Sequence, residues 1–516
     1  MPLLWRGAPS GHLCSPAEGS TRNCVFYAGT SARPPRVSQE PDLHALLETV
    51  LTREIPGCLG LVQAERLSGG ASQETYRLVV ETADGTRQLA LRRAAGGMAR
   101  DPAAGYPGLT GEARLMIAAR AAGVPEPEVH YVLAEDDGLG PGFVMEWLDG
   151  ETLGARIVRS PALAEVRPRL AEACGEVLAR IHGIDVDGAG LAPVLDPLTP
   201  EAFVHQTWDR YRAMDTPQPM IDFTARWLLE HLPADFEMGL VHNDFRNGNL
   251  MVDPTGVVAV LDWEASHIGD PMRDLGWICT NSWRFGGTGP VGGFGSYEDL
   301  FRGYERVSGR PVDPERVKYW EVFGSFWWAV GCLQMAEHYR TGPDPSVERP
   351  GIGRRTSECQ VDCVNLLIPG PVQVPEPPPF DSTLDMPRID ELLVSVRDFL
   401  RNDVRAETEG RTRFLALVAS NSLDIVLRET ALGPGHRAAE LAGLRRVLQD
   451  PEGDLETLRW RLVHGLRDGS IDLVQPGLTD HLRQTVALQV AIDQPRYSGL
   501  ATASRQGSSE AVDAAR

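Results

Sequence analysis

Two polar loops set between short apolar strands constrain the fold of this chain more than any other feature. One stretch reads LVHNDFRNGNLMV from Leu240 to Val252, and the next, VVAVLDWE, runs from Val257 to Glu264. The apolar runs have the length and composition of short strands. A strand, loop, strand, turn and strand in this order predict a compact hairpin. Such a hairpin brings Asp244, Asn249 and Asp262 to one edge.

These three side chains suit phosphoryl transfer. That reaction needs a carboxylate to orient an attacking hydroxyl and accept its proton, and hard oxygen ligands to hold Mg²⁺ on the phosphates. Asp244 suits the first role, and Asn249 and Asp262 suit the second. An amide beside a carboxylate keeps the ligand charge low enough for the metal to remain an electrophile.

The region before the hairpin predicts strands first and helices afterwards. A turn of small residues at 67–72 precedes a β-hairpin with strands at 76–81 and 88–92. A helix is predicted at 111–122, and two further strands at 129–134 and 143–147. After Gly150 the pattern is mainly helical. The segregation of strands and helices indicates an α+β fold.

The C-terminal part of the chain predicts helices without strands. Residues 371–384 contain the proline-rich run PVQVPEPPPF and are expected to form a semi-rigid linker. Apolar residues then recur at helical spacing, beginning with Ile389, Leu392 and Val396, and predict an all-α bundle of about four or five helices over residues 385–497. Residues 1–41 and 498–516 are expected to be disordered.

The composition excludes several classes of function. The 516 residues carry 50 basic and 71 acidic side chains, a formal charge of −21. This balance argues against a sequence-independent grip on nucleic acid and against a polybasic membrane anchor. No apolar run reaches the roughly 20 residues that span a bilayer. The cysteines are scattered and no signal peptide is visible, so we expect a reducing cytoplasm.

The motif HNDFRNGN followed by LDWE resembles the phosphotransferase motif of the aminoglycoside and choline kinase superfamily. The resemblance covers residues 43–369, and its motifs come in the family's order. It implies a protein-kinase-like, two-lobed fold, with a small antiparallel sheet as the N-lobe (42–148) and a mainly helical C-lobe (149–370). It also implies ATP and Mg²⁺ as cofactors and a small-molecule hydroxyl as acceptor.

The same resemblance implies roles for individual residues. It gives the catalytic role to Asp244 and His242, although the histidine could instead hold the loop by hydrogen bonds. Metal binding is assigned to Asn249 and Asp262. The residues expected to bind the nucleotide lie in a phosphate-covering loop, on the cation-bearing strand and its partner helix, and at the adenine hinge: Ser68, Gly69, Gly70, Ala71, Ser72, Arg92, Glu112, Glu146 and Trp147.

The predicted site departs from the usual kinase pattern at its cation. Kinases place a lysine on that strand, but this chain holds one lysine, Lys318, and has arginine at the corresponding position. Arginine can still pair with phosphate oxygens and with Glu112 in a forked geometry. Relatives resembling acyl-CoA-dehydrogenase-associated kinase domains also carry two arginines here. Either Arg92 or Arg93 could therefore serve.

Other features near the motif leave alternatives open. Glu264 could contact a second metal or pair with an arginine, Asp270 suits a helix N-cap, and Asp274 is expected to face inward and brace the catalytic loop. The aromatic run from Phe323 to Trp328 could pack in the core or form a wall of the acceptor pocket. The glycine-rich segment 285–295 is expected to be a mobile loop or a substrate lid.

The acceptor is not determined by the sequence. The acyl-CoA-dehydrogenase-associated branch points to a hydroxylated acyl or carboxylic metabolite, whereas the acidic chain would suit a polycationic aminoglycoside. A third hypothesis is a nucleotide-binding scaffold without turnover. The C-terminal region resembles an uncharacterised helical domain fused behind such kinases, which implies association with the kinase and allows it to recruit a protein partner.

Overall fold

A computed structural model describes residues 43–67, 73–94, 106–342, 346–380 and 385–506. The predicted phosphate-covering loop from Ser68 to Ser72 lies outside these ranges, as does the N-terminal arm 1–41. Within the described ranges, no helix combines the length and apolar character needed to cross a bilayer.

The N-terminal lobe is a five-stranded antiparallel sheet flanked by two helices. The strands pair in the order β1-β2-β3-β5-β4. In β2 every second residue, including Tyr76, Leu78 and Val80, is buried, because alternate side chains point to opposite faces of a sheet. The elements are α1 (Leu43–Glu54), β1 (Cys58–Arg66), β2 (Gln73–Thr82), β3 (Gly85–Ala94), α2 (Gly108–Ala121), β4 (Val129–Val132) and β5 (Gly142–Glu146).

The second lobe is mainly helical and contains two small sheets. Its elements are α3 (Gly154–Arg159), α4 (Leu170–His182), α5 (Pro200–Arg212), α6 (Pro219–Glu230), β6 (Gly239–Val241), β7 (Leu250–Asp253), β8 (Gly256–Val260), β9 (His267–Gly269), α7 (Met272–Cys279), α8 (Tyr297–Ser308), α9 (Pro314–Thr341), α10 (Glu348–Arg354) and α11 (Thr356–Leu367). Helices α4 and α8 pack so closely that a methyl group on Gly175 would lie 2.1 Å from the Leu300 carbonyl oxygen.

The predicted hairpin around the motif is only partly correct. Strands β7 and β8 pair with each other as expected, but β6 pairs with β9, a strand that the sequence does not predict. The short segment His267–Gly269 has too few residues to give a periodic signal of its own. The predicted order of small sheet followed by helices is confirmed, and so is the α+β fold class.

The C-terminal region is helical throughout its regular structure. It comprises α12 (Ile389–Asp398), a π-helical turn (Phe399–Val404), α13 (Arg405–Glu407), α14 (Gly410–Leu448), α15 (Leu455–Asp468), α16 (Leu478–Asp493) and α17 (Ser498–Arg505). Two predictions need correction here. Residues 498–505 form a helix with Leu500 and Ala503 buried, instead of a disordered tail. The apolar stripe of α12 lies outside the bundle core, since Ile389 and Leu392 are more than half exposed.

The helical region shares a hydrophobic core with the second lobe. One buried cluster joins Met220 and Phe223 of α6 and Val361 of α11 to leucines of α14, α15 and α16, including Leu444, Leu458 and Leu482. Separation of the helical region from the second lobe would expose these apolar side chains to water, which is unfavourable. The helical region is therefore a packed part of the structure.

A buried ion pair also crosses this junction. The Arg467 Nε atom lies 2.8 Å from Asp222 Oδ1, and the same carboxylate accepts hydrogen bonds from Trp208 Nε1 at 2.8 Å and Tyr211 Oη at 3.0 Å. Asp222 is fully buried. Burial raises the pKa of Asp222, and the hydrogen bond and charge of Arg467 oppose that rise. The arginine therefore stabilises the ionised carboxylate.

Replacement of this arginine tests the junction. We predict that Arg467→Met lowers the free energy of unfolding by about 3–5 kcal/mol, because it leaves a buried carboxylate unpaired. Urea denaturation followed by circular dichroism measures the change. The matched control is Arg461→Met, which breaks an exposed pair with Asp450 and is expected to cost less than about 1 kcal/mol. Equal losses in the two variants would contradict this account.

Candidate active site

The candidate site lies where the loop after β6 meets the ends of β7 and β8. Asn249 immediately precedes β7, and its Nδ2 donates to the Asp244 carboxylate Oδ2 at 2.5 Å and to the Asp244 carbonyl at 3.0 Å. The backbone N–H of Leu261 donates to the Asn249 carbonyl at 2.8 Å, which places Asp262 beside this pair. The structure therefore brings together the three residues that the motif spacing predicts to lie at one edge.

The Asp244 carboxylate is held by three side chains. Besides the amide of Asn249, Arg246 Nε donates to Oδ1 at 3.0 Å and Trp277 Nε1 donates to the same oxygen at 2.9 Å. The side chain retains 19% exposure, so a ligand can still approach it. These donors fix the orientation of a carboxylate that faces solvent, which is the arrangement required of a group that positions a substrate hydroxyl.

His242 has a different role from the catalytic one that the motif suggests. Its ring is fully buried and packs against Trp263, with the ring centroids 4.6 Å apart. Burial lowers the pKa of His242, so the ring is neutral, and Nδ1 accepts the backbone N–H of Asp244 at 3.2 Å. A ring without access to solvent cannot exchange a proton with a substrate. His242 therefore positions the loop, and its assignment as catalytic is corrected.

The expectation that Asp274 braces the catalytic loop is confirmed. Its carboxylate is fully buried and accepts the backbone N–H groups of His242 at 2.8 Å and Asn243 at 2.7 Å, and His182 Nε2 lies 3.1 Å away. Burial alone would raise the pKa of Asp274, but the hydrogen bonds and neighbouring histidines lower it. These contacts hold Asn243 in a left-handed conformation with φ of 67°.

Arg92 joins the two lobes at the site. Its Nη1 lies 2.7 Å from Glu112 Oε1 on α2, and its Nη2 lies 2.7 Å from Asp262 Oδ1. Its Nε donates to Gln73, whose amide in turn donates to Glu264 at 3.1 Å. Burial raises the pKa of Glu112 to about 7, and the charge of Arg92 opposes that rise. The guanidinium of Arg92 thus connects the sheet to helix α2 and to Asp262.

The choice between the two arginines follows from the geometry of β3. Adjacent residues of a strand point to opposite faces. Arg92 faces Glu112, whereas Arg93 pairs with Glu74 at 2.9 Å and donates to the Leu139 carbonyl at 3.2 Å. Arg92 is therefore the cation that pairs with the helix glutamate.

The oxygen atoms at this edge fit a magnesium ion. Within the described residues, neither Asn249 Oδ1 nor Asp262 Oδ2 accepts a hydrogen bond, and Asp262 keeps 33% exposure in a left-handed conformation. Amide and carboxylate oxygens are ligands that Mg²⁺ prefers. Glu112, Asp262 and Glu264 all act electrostatically on Arg92, so acidic groups outnumber this cation, and a divalent ion would offset the excess. The described residues include no cluster of three His, Cys, Asp or Glu side chains suited to a metal.

The predicted adenine hinge follows β5. The Glu146 carboxylate accepts the backbone N–H of Glu128 at 3.2 Å, and the Trp147 indole donates to Asp149 at 3.0 Å. In the described part of the chain, no group hydrogen-bonds to the backbone N–H or carbonyl of Trp147. This backbone is therefore available to a ligand edge. The roles of Glu146 and Trp147, like that of the loop from Ser68 to Ser72, stay predictions.

Sequence reasoning missed several aromatic and basic residues around Asp244. Arg246 lies within the motif without an assigned role, and its Cζ atom lies 4.1 Å from the Trp283 ring centroid. Trp277 follows Asp274 by three residues on α7, a spacing that places both on one side of the helix. That spacing is the signal that could have identified Trp277 as a partner of the catalytic loop.

The aromatic run on α9 divides between the core and the surroundings of Asp244. Phe323 and Phe326 are buried in the core. Trp327 and Trp328 are half-buried, and their rings lie 5.1 Å from Trp277 and 5.4 Å from Trp283, respectively. The two tryptophans therefore extend an aromatic wall beside Asp244.

The glycine-rich segment 285–295 is a packed element instead of a free lid. Val291 is fully buried, and the Gly292 carbonyl accepts the side-chain amide of Asn247 at 2.7 Å. A methyl group on Gly293, whose φ is 83°, would lie 2.1 Å from the Arg284 carbonyl oxygen. The glycines thus allow the segment to fold closely beneath the catalytic loop, which corrects the expectation of a mobile loop.

The brace at Asp274 can be tested by an isosteric change. We predict that Asp274→Asn lowers the free energy of unfolding by about 2–4 kcal/mol, because an NH₂ group replaces an oxygen that accepts buried N–H donors. Thermal and urea denaturation measure the loss. Asp253→Asn is the control, since Asp253 also accepts two backbone N–H groups, from Thr255 and Gly256, but in a less buried turn. A loss no greater than that of the control would refute the brace.

Two family models and several curated proteins match parts of this chain. Residues 63–316 match the phosphotransferase enzyme family (APH), and residues 406–497 match a domain of unknown function, DUF6285. The chain is 32% identical over 249 residues to acyl-CoA dehydrogenase family member 10 of Mus musculus, and 36% identical over 166 residues to family member 11 of Gallus gallus. These matches cover 46% and 30% of this chain but only 22% and 20% of those relatives.

A solved structure shares the fold. A crystal structure assigned to the aminoglycoside phosphotransferases, from Ralstonia eutropha JMP134, superposes with a TM-score of 0.52 at 23% identity, covering 61% of this chain and 95% of that one. The phosphotransferase match spans β2 to α8 and contains every catalytic and metal-ligand candidate described above. Residues 63–316 of this chain thus form a domain of the phosphotransferase enzyme family, which is followed by a helical domain of unknown function.

Proposed function

We propose that the chain is an ATP- and Mg²⁺-dependent kinase that transfers the γ-phosphate to a hydroxyl group of a small molecule. The observation that carries this proposal is the contact set around one edge: Asn249 touches Asp244, and Arg92 joins Glu112 to Asp262. Each member of the set supplies a separate requirement of phosphoryl transfer.

Asp244 would act on the acceptor. Its carboxylate orients the acceptor hydroxyl toward the γ-phosphorus and takes the hydroxyl proton as the new P–O bond forms. The bond between the γ-phosphorus and the bridging oxygen breaks, and ADP leaves. Arg246 and Trp277 keep the carboxylate oriented during this step through their hydrogen bonds to Oδ1. Catalysis of this kind relies on positioning and electrostatics more than on covalent chemistry.

The nucleotide side of the site would involve both lobes. Arg92, held by Glu112, would pair with phosphate oxygens. The backbone N–H and carbonyl of Trp147 would form hydrogen bonds with the adenine edge. The loop from Ser68 to Ser72 would cover the phosphates. Asn249 and Asp262 would hold Mg²⁺, which supplies charge neutralisation on the phosphates when bound.

The surroundings of Asp244 favour a neutral or anionic acceptor with an apolar part. The half-buried rings of Trp327 and Trp328 offer apolar surface to an acceptor near Asp244. Two arginines lie nearby: Arg246 bonds to Asp244, and buried Arg273 lies 4.6 Å from the Trp277 ring centroid. Burial lowers the pKa of Arg273 to about 10, which leaves it charged near neutral pH.

This environment supports a hydroxylated acyl or carboxylic metabolite over an aminoglycoside. The guanidinium of Arg246, 20% exposed beside Asp244, can pair with a carboxylate of the acceptor, whereas it offers no partner to an ammonium group. The relatives named as acyl-CoA dehydrogenase family members are compatible with an acyl acceptor.

Turnover of a mixed acceptor panel tests the proposal. We expect Mg²⁺-dependent ADP release with hydroxylated acyl-CoAs or hydroxy acids, and less with aminoglycosides or choline. Asp244→Asn should lower kcat by about 10²–10⁴-fold, because it removes the proton acceptor, while nucleotide binding measured by calorimetry remains. Undiminished turnover in Asp244→Asn would contradict the mechanism. Nucleotide binding without turnover on any acceptor would favour the scaffold hypothesis.

The ionisation of Glu112 predicts a pH dependence. Because its pKa lies at about 7, the carboxyl group is largely neutral at pH 6 and ionised at pH 8. When Glu112 is neutral, Asp262 remains the ionic partner of Arg92. Asp262 is then less available as a ligand for the metal. We therefore expect kcat/KM for the nucleotide to rise between pH 6 and 8. In Glu112→Gln the profile should be low and flat across this window, and an unchanged rise in that variant would exclude Glu112 as its source.

A further inference from the structure

The end of the helical domain contacts the second lobe beside the catalytic loop. Asn281 begins a short 3-10 turn, Asn281–Trp283, that follows α7. Its side-chain Nδ2 donates to Asp362 Oδ1 at 2.8 Å, and its Oδ1 accepts the hydroxyl of Ser498 at 3.1 Å. Both ends of this amide are therefore occupied, and one of them is held by the first residue of α17.

Asp362 makes the second contact between the helical domain and this turn. It lies on α11 with 4% exposure, and its Oδ2 accepts the Tyr497 hydroxyl at 2.5 Å. Burial raises the pKa of Asp362 to about 7, while the hydrogen bonds from Tyr497 and Asn281 oppose that rise. The backbone approaches closely here: a methyl group on Gly499 would lie 2.6 Å from Asp362 Oδ1.

The same turn reaches the catalytic aspartate through its last residue. The ring of Trp283 lies 4.1 Å from the Arg246 Cζ atom and 5.1 Å from the Trp277 ring. Arg246 and Trp277 both donate to Asp244 Oδ1, at 3.0 Å and 2.9 Å. Two of the three side-chain donors that orient Asp244 therefore pack against Trp283.

We infer that the helical domain holds the catalytic carboxylate in its reactive orientation. Ser498 bonds to Asn281 directly, and Tyr497 does so through Asp362. Together they restrain the turn that carries Trp283. Trp283 in turn confines the two donors to Asp244. Tyr497 and Ser498 are thus positioning residues for the transfer reaction. This inference rests on the proposed function, and it gives the domain of unknown function a defined task within the enzyme.

General docking of the two domains does not depend on these hydroxyl groups. The shared core is formed by apolar side chains, and the Asp222–Arg467 ion pair lies on α6 and α15, so neither uses the hydroxyl groups of Tyr497 and Ser498. Removal of the two hydroxyl groups should therefore leave the domains packed together. We expect the mobility of the turn Asn281–Trp283, and of the side chains packed against it, to increase.

A double variant of the full chain, Tyr497→Phe with Ser498→Ala, tests the inference because it deletes only two oxygen atoms. We expect kcat to fall on the order of tenfold, less than the roughly 100-fold that a 1 Å misplacement can cost. The nucleotide KM should stay within about twofold, since the residues proposed to hold the nucleotide are unchanged. One control is Thr502→Ala, whose hydroxyl bonds only within α17. The other is Arg226→Gln, which removes a different interdomain hydrogen bond, to the Ile471 carbonyl.

Hydrogen exchange supplies a readout that does not need a known acceptor. The amides of Trp283 and Arg284 donate to Thr280 and Asn281 within the turn. Their exchange, measured by mass spectrometry on peptides covering 278–288, should accelerate in the double variant and not in either control. Wild-type exchange would overturn the inference. So would an equal loss of kcat in Arg226→Gln, because that would make general docking the cause.

The two proposals can fail separately. If the wild-type protein turns over no acceptor, the proposed kinase function fails, while the exchange of peptides 278–288 still decides whether the helical domain restrains the turn. If turnover is found but both exchange and kcat are unchanged in the double variant, the kinase function stands and the positioning role falls.

Discussion

The ion pairs of Arg92 are the interaction on which the rest of the site depends. A single guanidinium on β3 contacts Glu112 of α2 and Asp262 after β8, and so ties the sheet to the lobe that carries Asp244. The forked geometry of arginine allows these two carboxylates to be held at once, which a lysine ammonium could do only as a point charge. Glu112, Asp262 and Glu264 outnumber this cation, so a divalent ion would offset the excess negative charge at this edge.

The helical domain packs against the lobe that carries Asp244. It shares a hydrophobic core with α6 and α11, and Tyr497 and Ser498 at the start of α17 bond to Asp362 and to Asn281, respectively. The phosphotransferase match ends at residue 316, before α11 and the helical domain. Residues outside that match, Asp362, Tyr497 and Ser498, therefore contact the turn that packs against the donors to Asp244.

The sequence predicts local features of this site well and tertiary ones poorly. Asp244, Asn249 and Asp262 are found because their spacing between short strands is a local signal. The burial of His242 under Trp263, the pairing of β6 with β9, and the exposed stripe of α12 depend on partners distant in the chain. The choice of Arg92 over Arg93 needed the face of β3 to be known. Tyr497 and Asp362 could not be connected from sequence, because 135 positions separate them.

The most direct test of the account is a calorimetric titration of the wild-type protein with a non-hydrolysable ATP analogue, with Mg²⁺ and then with EDTA. If Asn249 and Asp262 hold a metal at the edge that Arg92 organises, binding with Mg²⁺ should be at least about tenfold tighter, equivalent to about 1.4 kcal/mol. Equal affinity in the two conditions, or no binding in either, would contradict the assignment of this edge as a metal–nucleotide site.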